Sequence, residues 1–139
     1  MPRAAAVKTI RFTRMFCGYA DKVREVRHEV ARHLTACGYP RVDDAVLIIS
    51  EFCANAVLHS DSRGQFVIVR TELFPTHLRV EVEDLGGKWA AGDPDRTHPH
   101  GLMIVEALTG MGEWGIDGDE AGRVAWARTY GGQRRCRGC

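Results

Sequence analysis

Residues 51–60 read Glu-Phe-Cys-Ala-Asn-Ala-Val-Leu-His-Ser, a run without glycine or proline near the middle of the chain. Extended back to Val42, the segment repeats apolar side chains every three or four residues, which predicts a helix from about Val42 to Leu58. One side of this helix is wholly apolar and forms a predicted core face. The residues of that face are Val42, Ala45, Val46, Ile49, Cys53, Ala56 and Val57.

The opposite side of this helix carries Glu51 and Asn55, one turn apart, so that both side chains can reach one ligand. Their flanks are apolar and consist of Leu47, Ile48 and Leu58. Two oxygen ligands at this spacing suit a hydrated Mg²⁺ ion, and a carboxylate among apolar residues can act as a general base. A plain helix with a half-exposed polar stripe explains the same pattern.

The rest of the chain predicts a β-α-α-β-β-α-β-β order. This order is typical of an α+β fold, a two-layer sandwich with helices on one face of a mixed, mainly antiparallel sheet. The predicted strands are 7–14, 66–70, 78–83, 113–116 and 123–129, and the other predicted helices are 20–36 and 101–108, with a loop over 85–100.

Two glycine-containing segments have the features of ligand-binding turns. Asp84-Leu-Gly86-Gly87 ends a predicted strand, where the glycines permit close approach of a ligand and Asp84 can accept a hydrogen bond from an amine such as that of adenine. His100-Gly101 opens a predicted helix, whose free N–H groups favour phosphate. An ordinary turn and an ordinary helix cap are the alternative interpretations.

The composition is that of one globular domain. The chain has 139 residues, of which 45% are hydrophobic, and its 19 basic and 18 acidic residues nearly balance, which argues against a nucleic-acid-binding surface. No apolar run approaches the ~20 residues of a membrane span, and we recognise no signal peptide. We expect one domain over residues 1–130 and a disordered Gly/Arg/Cys-rich tail over 131–139.

The five cysteines are an odd number and, without a signal peptide, favour a reducing cytoplasm. Cys53 lies on the apolar helix face and is interpreted as a core residue. Cys136-x-x-Cys139 has the spacing of half a zinc site or of a redox pair, but no second pair accompanies it. An incidental tail is the simpler interpretation, and a zinc- or redox-sensing role stays open.

Three segments of the sequence, taken together, indicate a protein family more specifically than any one of them does alone. Glu51-Phe-Cys-Ala-Asn55-Ala on a helix, Asp84-Leu-Gly86-Gly87 after a strand, and His100-Gly101-Leu102 opening a helix resemble the GHKL (Bergerat-fold) ATPases. More narrowly, the chain is similar to the small anti-sigma-factor serine kinases and their bacterial relatives. The resemblance covers about residues 7–130.

The resemblance implies ATP and Mg²⁺ as cofactors and assigns roles to the motif residues. Asn55 would coordinate Mg²⁺, Glu51 would position or deprotonate the attacking hydroxyl or water, and Asp84 would bind the adenine amino group. Further nucleotide contacts would come from Gly86, Gly87, His100, Gly101 and Leu102. Residues 88–100 would form the ATP lid, and His59 would be either a rim residue or a ligand contact.

The same resemblance implies a cytoplasmic homodimer that binds a sigma factor, phosphorylates a Ser or Thr of an anti-sigma-factor antagonist, or does both. Two departures from the family pattern bear on turnover. Pro99 replaces a glycine of the phosphate-binding segment, and Val124 replaces a residue that often carries a hydroxyl. The alternative is therefore a catalytically weak or inactive module that sequesters its partner without phosphoryl transfer, and whether the chain is an enzyme stays open.

Overall fold

The protein was analysed as a computed structural model that describes residues 8–59, 65–86 and 100–131. Three helices pack on a sheet of five strands, so the predicted α+β sandwich is confirmed. All four strand pairings within the described residues are antiparallel, whereas the sequence left a mixed sheet open. The elements are β1 (Ile10–Cys17), α1 (Ala20–Ala36), α2 (Val42–His59), β2 (Phe66–Leu73), β3 (His77–Asp84), α3 (His100–Thr109), β4 (Trp114–Asp119) and β5 (Gly122–Tyr130).

Two predicted segments lie largely outside the described residues. They are the lid, of which residues 88–99 are not described, and the tail, of which residues 132–139 are not described. None of the helices in the described ranges is both long and apolar enough to cross a membrane.

The strand order is β1-β2-β3-β5-β4. Ile10, Leu73, Leu78 and Thr129 lie in register across the first four of these strands, and we call this end of the sheet the base. At the opposite end, which we call the top, Asp84 pairs with Arg123. Alternate residues of each strand face the helices, because successive side chains point to opposite faces.

The first strand starts three residues later than the predicted segment 7–14. Along β1 the residues that face the helices include Phe12 and Phe16, and Phe16 is buried opposite Val67. Burial of Phe16 against the core therefore extends the strand to Cys17, beyond the loosely alternating stretch that sequence indicated.

The helix α2 is the central helix and packs against α1, α3 and the sheet. The predicted core face is confirmed for Ala45, Ile49, Cys53, Ala56 and Val57, which are buried. Ile48 was expected to flank a cleft, but it is fully buried, as is Phe52. The buried face of α2 is therefore about 180° wide. It is wider than predicted because α1 and α3 cover the two sides of the helix while the sheet covers the face beneath it, so apolar residues on the flanks are buried too.

Burial also fixes the chemistry of Cys53. Its side chain has no exposed surface, and burial raises the pKa of the thiol to about 12. The thiol stays protonated at neutral pH, so Cys53 is a core residue rather than a reactive one.

A set of hydrogen bonds ties the end of β5 to the connection between α1 and α2. The hydroxyl of Tyr39 is bonded to the Thr129 side chain, and Arg41 Nη1 donates to the carbonyl oxygen of Tyr130 at 3.3 Å. Arg41 Nη2 also donates to the carbonyl oxygen of Leu108 at 2.8 Å. The helix α2 therefore starts at the base of the sheet, where α3 ends, and runs towards the top.

Candidate functional site

Three elements meet at the top of the sheet: the second half of α2, the end of β3 and the start of α3. The helix α3 has ten residues and a length of about 15 Å. Because it ends beside Arg41 and packs along α2, its N-terminus is directed towards the part of α2 that carries Glu51 and Asn55. The structure therefore directs the three predicted motifs towards one end of the molecule.

On α2, Glu51 and Asn55 are both half-buried. Among the described residues, neither side chain takes part in a salt bridge or in a side-chain hydrogen bond. Ser50, by contrast, bonds its hydroxyl to the carbonyl oxygen of Val46 at 2.7 Å. A half-buried carboxylate and amide with no side-chain partner among the residues that the structure describes have hydrogen-bonding capacity left for a ligand.

Asp84 lies at the top of β3, on the face of the sheet that packs against the helices. The alternation of Leu78, Val80 and Val82, all buried, continues to Asp84. The backbone N–H of Gly86 donates to Oδ1 of Asp84 at 2.6 Å. This bond holds the carboxylate in an Asx-type turn at the mouth of the space between the sheet and the helices.

Gly86 is required at its position for two reasons. Its φ is +74°, a backbone conformation that residues with a Cβ rarely adopt. A Cβ on this residue would also lie 2.6 Å from the carbonyl oxygen of Glu120 and 2.7 Å from that of Asp119. The turn after β3 therefore packs directly on the backbone of the β4–β5 hairpin.

Arg123 is a residue of this site that the sequence motifs did not reveal. It pairs with Asp84 across β3 and β5, and only 8% of its side chain is exposed. Its Nη2 donates to the carbonyl oxygen of Gly86 at 2.9 Å, and its Nε lies 3.8 Å from Oδ1 of Asp84. The guanidinium group thus joins the candidate adenine-binding carboxylate to the turn that follows it.

The pKa of Asp84 reflects this environment. Burial raises the pKa of the carboxyl group above its ordinary value, while the Gly86 N–H and the charge of Arg123 oppose that shift. The carboxylate is thus held by two groups of the chain itself.

Val124, one of the two departures from the family pattern, does not face the candidate site. Val124 pairs with Glu83 on the outer face of the sheet, so its side chain points away from the helices. Arg123 occupies the inward position at the top of β5. Thr129 and Ala127 are buried, and counting back from them in steps of two reaches Arg123. This two-residue period of the strand is the pattern that indicates an inward-facing Arg123.

The start of α3 is one residue earlier than predicted, at His100 rather than Gly101. Its first turn contains no acidic residue, which leaves the positive end of the helix dipole available to an anion. Leu102 is partly buried and its side chain packs against the core. Gly87 and Pro99 lie outside the described residues, and of His59, His100 and Gly101 only the backbone is described.

The donor set suits a metal ion that is held mainly by its nucleotide. In the described ranges no three His, Cys, Asp or Glu side chains come close enough to form a metal site. A single amide oxygen from Asn55 fits Mg²⁺, which usually takes one or two protein ligands and completes its shell with phosphate oxygens and water.

Comparison with known families defines the class of protein. The family model of the Histidine kinase-like ATPase domain matches residues 18–126, which include α1 to α3 and most of β5. The chain therefore belongs to the histidine kinase-like ATPase domain family. A search of curated proteins finds no match.

Among solved structures, the chain is similar to one that contains the RsbU and RsbW domains of Rv1364c from Mycobacterium tuberculosis. The sequences are 25% identical, the TM-score is 0.70, and the match covers 91% of this chain. The chain spans only 34% of the length of that solved chain.

Proposed function

We propose that this protein binds Mg-ATP at the top of the sheet and transfers the γ-phosphoryl group to a Ser or Thr hydroxyl of an anti-sigma-factor antagonist. One observation supports this above all others. Glu51 and Asn55 lie one turn apart on α2, half-buried, with no side-chain partner among the described residues. The motif resemblance to anti-sigma-factor serine kinases and the likeness to a chain with an RsbW domain support the same class.

In this proposal each residue has a separate task. The Asp84 carboxylate accepts a hydrogen bond from the adenine amino group, and the N–H groups at the start of α3 donate to phosphate oxygens. The amide oxygen of Asn55 is the protein ligand of Mg²⁺, an ion that neutralises phosphate charge when it is bound. These contacts orient the γ-phosphoryl group, which is the main contribution of a protein to phosphoryl transfer.

Glu51 acts on the nucleophile. Its carboxylate accepts the proton of the attacking hydroxyl as the new oxygen–phosphorus bond forms and the bond to the β-phosphate oxygen breaks. ADP leaves, and the proton passes from Glu51 to solvent.

Asn55→Ala tests the nucleotide site. We expect Mg-dependent ATP binding to weaken at least tenfold in isothermal titration calorimetry, because the variant removes a metal ligand. Ser50→Ala on the same helix is the matched control and should bind as the wild type does, since its hydroxyl bonds only to Val46 within the described residues. Equal affinity of the wild type and Asn55→Ala would refute the assignment.

The second candidate function is a binding module that sequesters a sigma factor or its antagonist without phosphoryl transfer. The position of Arg123 favours it, because a guanidinium group already bound to Asp84 and Gly86 competes with the adenine amino group for the carboxylate.

Arg123→Thr separates the two candidates. If Arg123 blocks the base pocket, we expect no detectable binding of the wild type at millimolar ATP. The variant should bind at least tenfold more tightly, because that ratio corresponds to the free energy of about one charge-assisted hydrogen bond. Arg128→Thr, on the outer face of the same strand, should change nothing. Submicromolar binding by the wild type would show that Arg123 does not block the base pocket and would remove this support for the second candidate. Far-UV circular dichroism checks that each variant is folded.

The partner surface and the oligomeric state are part of the proposal. Outside its buried stripe of Val26, Val30 and Leu34, α1 exposes Arg24, Glu25 and Arg32, which provide charges of both signs to a protein partner. A cytoplasmic homodimer is proposed from the family resemblance alone, and sedimentation velocity measures it.

A further inference from the structure

Arg41 joins three parts of the molecule at the base of the sheet. Its Nη2 donates to the carbonyl oxygen of Leu108 at 2.8 Å, and its Nη1 donates to the carbonyl oxygen of Tyr130 at 3.3 Å. Its Nε donates to Oδ2 of Asp44 at 2.9 Å. These bonds link the start of α2 to the end of α3 and to the end of β5. A single side chain therefore ties the last turn of α3 to two other elements.

The position of Arg41 is itself fixed by α2. Its backbone carbonyl oxygen accepts a hydrogen bond from the N–H of Ala45 at 3.1 Å, and Ala45 is buried in the core. The carboxylate of Asp44 orients the guanidinium group through the bond to Nε. The same helix carries Glu51 and Asn55. The end of α3 is therefore held by a group whose position is set by the helix that carries the candidate catalytic residues.

The helix α3 has few buried side chains to fix its orientation. Of its side chains that the structure describes, Val105 alone is buried, while Leu102 and Leu108 pack partly against the core. Met103 is 60% exposed and Ile104 is 36% exposed. Elements with few buried apolar contacts belong to the less stable parts of a domain. The hydrogen bond at the end of α3 therefore contributes to the orientation of the whole helix.

The bond from Arg41 meets a carbonyl group that the helix itself leaves without a partner. The last four carbonyl groups of an α-helix have no acceptor role within it. In α3, the N–H of Gly110 donates to the carbonyl oxygen of Glu106 at 2.7 Å, and Arg41 donates to that of Leu108. A cation at this end also interacts favourably with the negative end of the helix dipole. Both effects favour the observed position of α3.

A rotation of α3 about Val105 moves the start of the helix further than its end. At a rise of 1.5 Å per residue, Val105 lies about 7.5 Å from His100 and about 4.5 Å from Leu108. A displacement at Leu108 is therefore about 1.7 times larger at His100. The N–H groups at the start of α3 are the proposed phosphate donors, and a misplacement of ~1 Å can cost ~10²-fold in rate. Release of the helix at Arg41 would thus disturb the phosphate site at its other end.

We propose that Arg41 is a positioning residue for the phosphate-binding end of α3. It lies at the base of the sheet and acts through Leu108, by fixing α3 relative to the helix that carries Glu51 and Asn55. The assignment rests on the proposed function, because it places the phosphate groups of the nucleotide at the start of α3. Loss of Arg41 should therefore weaken the contacts to phosphate and leave the contact between adenine and Asp84 unchanged.

Arg41→Ala tests the role by comparing ATP with adenosine, which has no phosphate. We expect the affinity for Mg-ATP to fall about tenfold or more in calorimetry, and that for adenosine, followed by NMR at the Gly86 amide, to stay within about twofold. A general loss of stability does not give this difference, because unfolded protein binds neither ligand. Arg41→Lys can form one bond to Leu108 and should recover part of the affinity for ATP. Unchanged ATP affinity in Arg41→Ala, or an equal loss for both ligands, would overturn the proposal.

Two variants at the same end of the molecule are the matched controls. Tyr39→Phe removes the hydroxyl that bonds to Thr129 and leaves the bond to the end of α3 in place. Arg11→Ala removes an arginine that is 75% exposed and that pairs with Glu72 of β2. Both should keep the wild-type ratio of ATP affinity to adenosine affinity. A fall of this ratio in Tyr39→Phe as large as in Arg41→Ala would mean that any weakening of the base has the same effect, and the proposal would be wrong.

Hydrogen exchange of the nucleotide-free chain distinguishes failure of this assignment from failure of the proposed function. In Arg41→Ala the amides at the end of α3, such as that of Gly110, should exchange about tenfold faster or more, while those of β2 and β3 keep their protection. Unchanged exchange throughout α3 would overturn the assignment even where the wild type binds ATP as proposed. A wild type that binds neither ATP nor adenosine would refute the proposed function, and the role of Arg41 in phosphate binding with it.

Discussion

Replacement of Gly86 by alanine is expected to destabilise the domain by about 2–5 kcal/mol and to abolish nucleotide binding. The left-handed backbone costs a residue with a Cβ about 1–2 kcal/mol, and the contacts of that Cβ with the Asp119 and Glu120 carbonyl oxygens add about 1–3 kcal/mol. To relieve them, the turn must move away from the β4–β5 hairpin. That movement breaks the bond from the Gly86 N–H to Asp84 and displaces the carbonyl oxygen that Arg123 holds.

Gly112→Ala is the control that separates the two causes. Gly112 has a φ of +79°, close to that of Gly86, but a Cβ at this position meets nothing within 4 Å. We expect a loss of about 1 kcal/mol from the backbone alone and unchanged ATP affinity. Urea unfolding of both variants measures the difference. Equal losses for the two variants would mean that the hairpin contact is unimportant.

Glu51→Gln is expected to lower the rate of phosphoryl transfer ~10²–10⁴-fold while the affinity for Mg-ATP changes by less than about threefold. Glutamine has nearly the size of glutamate but cannot accept the proton of the nucleophile. The measurement is single-turnover conversion of Mg-ATP to ADP with protein in excess, where water is the acceptor. Calorimetry on the same variant gives its affinity.

Asp43→Asn is the matched control for the loss of a carboxylate from α2. Asp43 is exposed in the first turn of the helix, at the base of the molecule. Its rate should equal that of the wild type. A wild-type rate for Glu51→Gln would remove Glu51 from the mechanism and leave its role as structural.

Patterns within single segments of the sequence were sufficient to predict most of the helices and strands. The helix α1 has the predicted bounds 20–36, because Gly38 and Pro40 follow a stretch without helix breakers. The exposure of Ile48 and the end of β1 were predicted wrongly for a common reason. Each depends on what covers the residue from another part of the chain, and a periodicity within one segment carries no such information.

The same distinction applies to the candidate site. Glu51, Asn55, Asp84 and Gly86 belong to short motifs, and each can be picked out within a few residues. Arg123 becomes relevant only through its pairing with Asp84, a contact between distant segments that depends on strand register.

The strand order has a consequence for synthesis of the protein on the ribosome. β5 lies between β3 and β4, and β4 pairs with no other strand in the described part of the chain. A nascent chain that ends before residue 122 therefore exposes one full edge of β3 and lacks the side chain that faces Asp84. Unpaired strand edges are prone to aggregation. The growing polypeptide therefore carries an aggregation-prone strand edge until β5 has emerged and paired with β3.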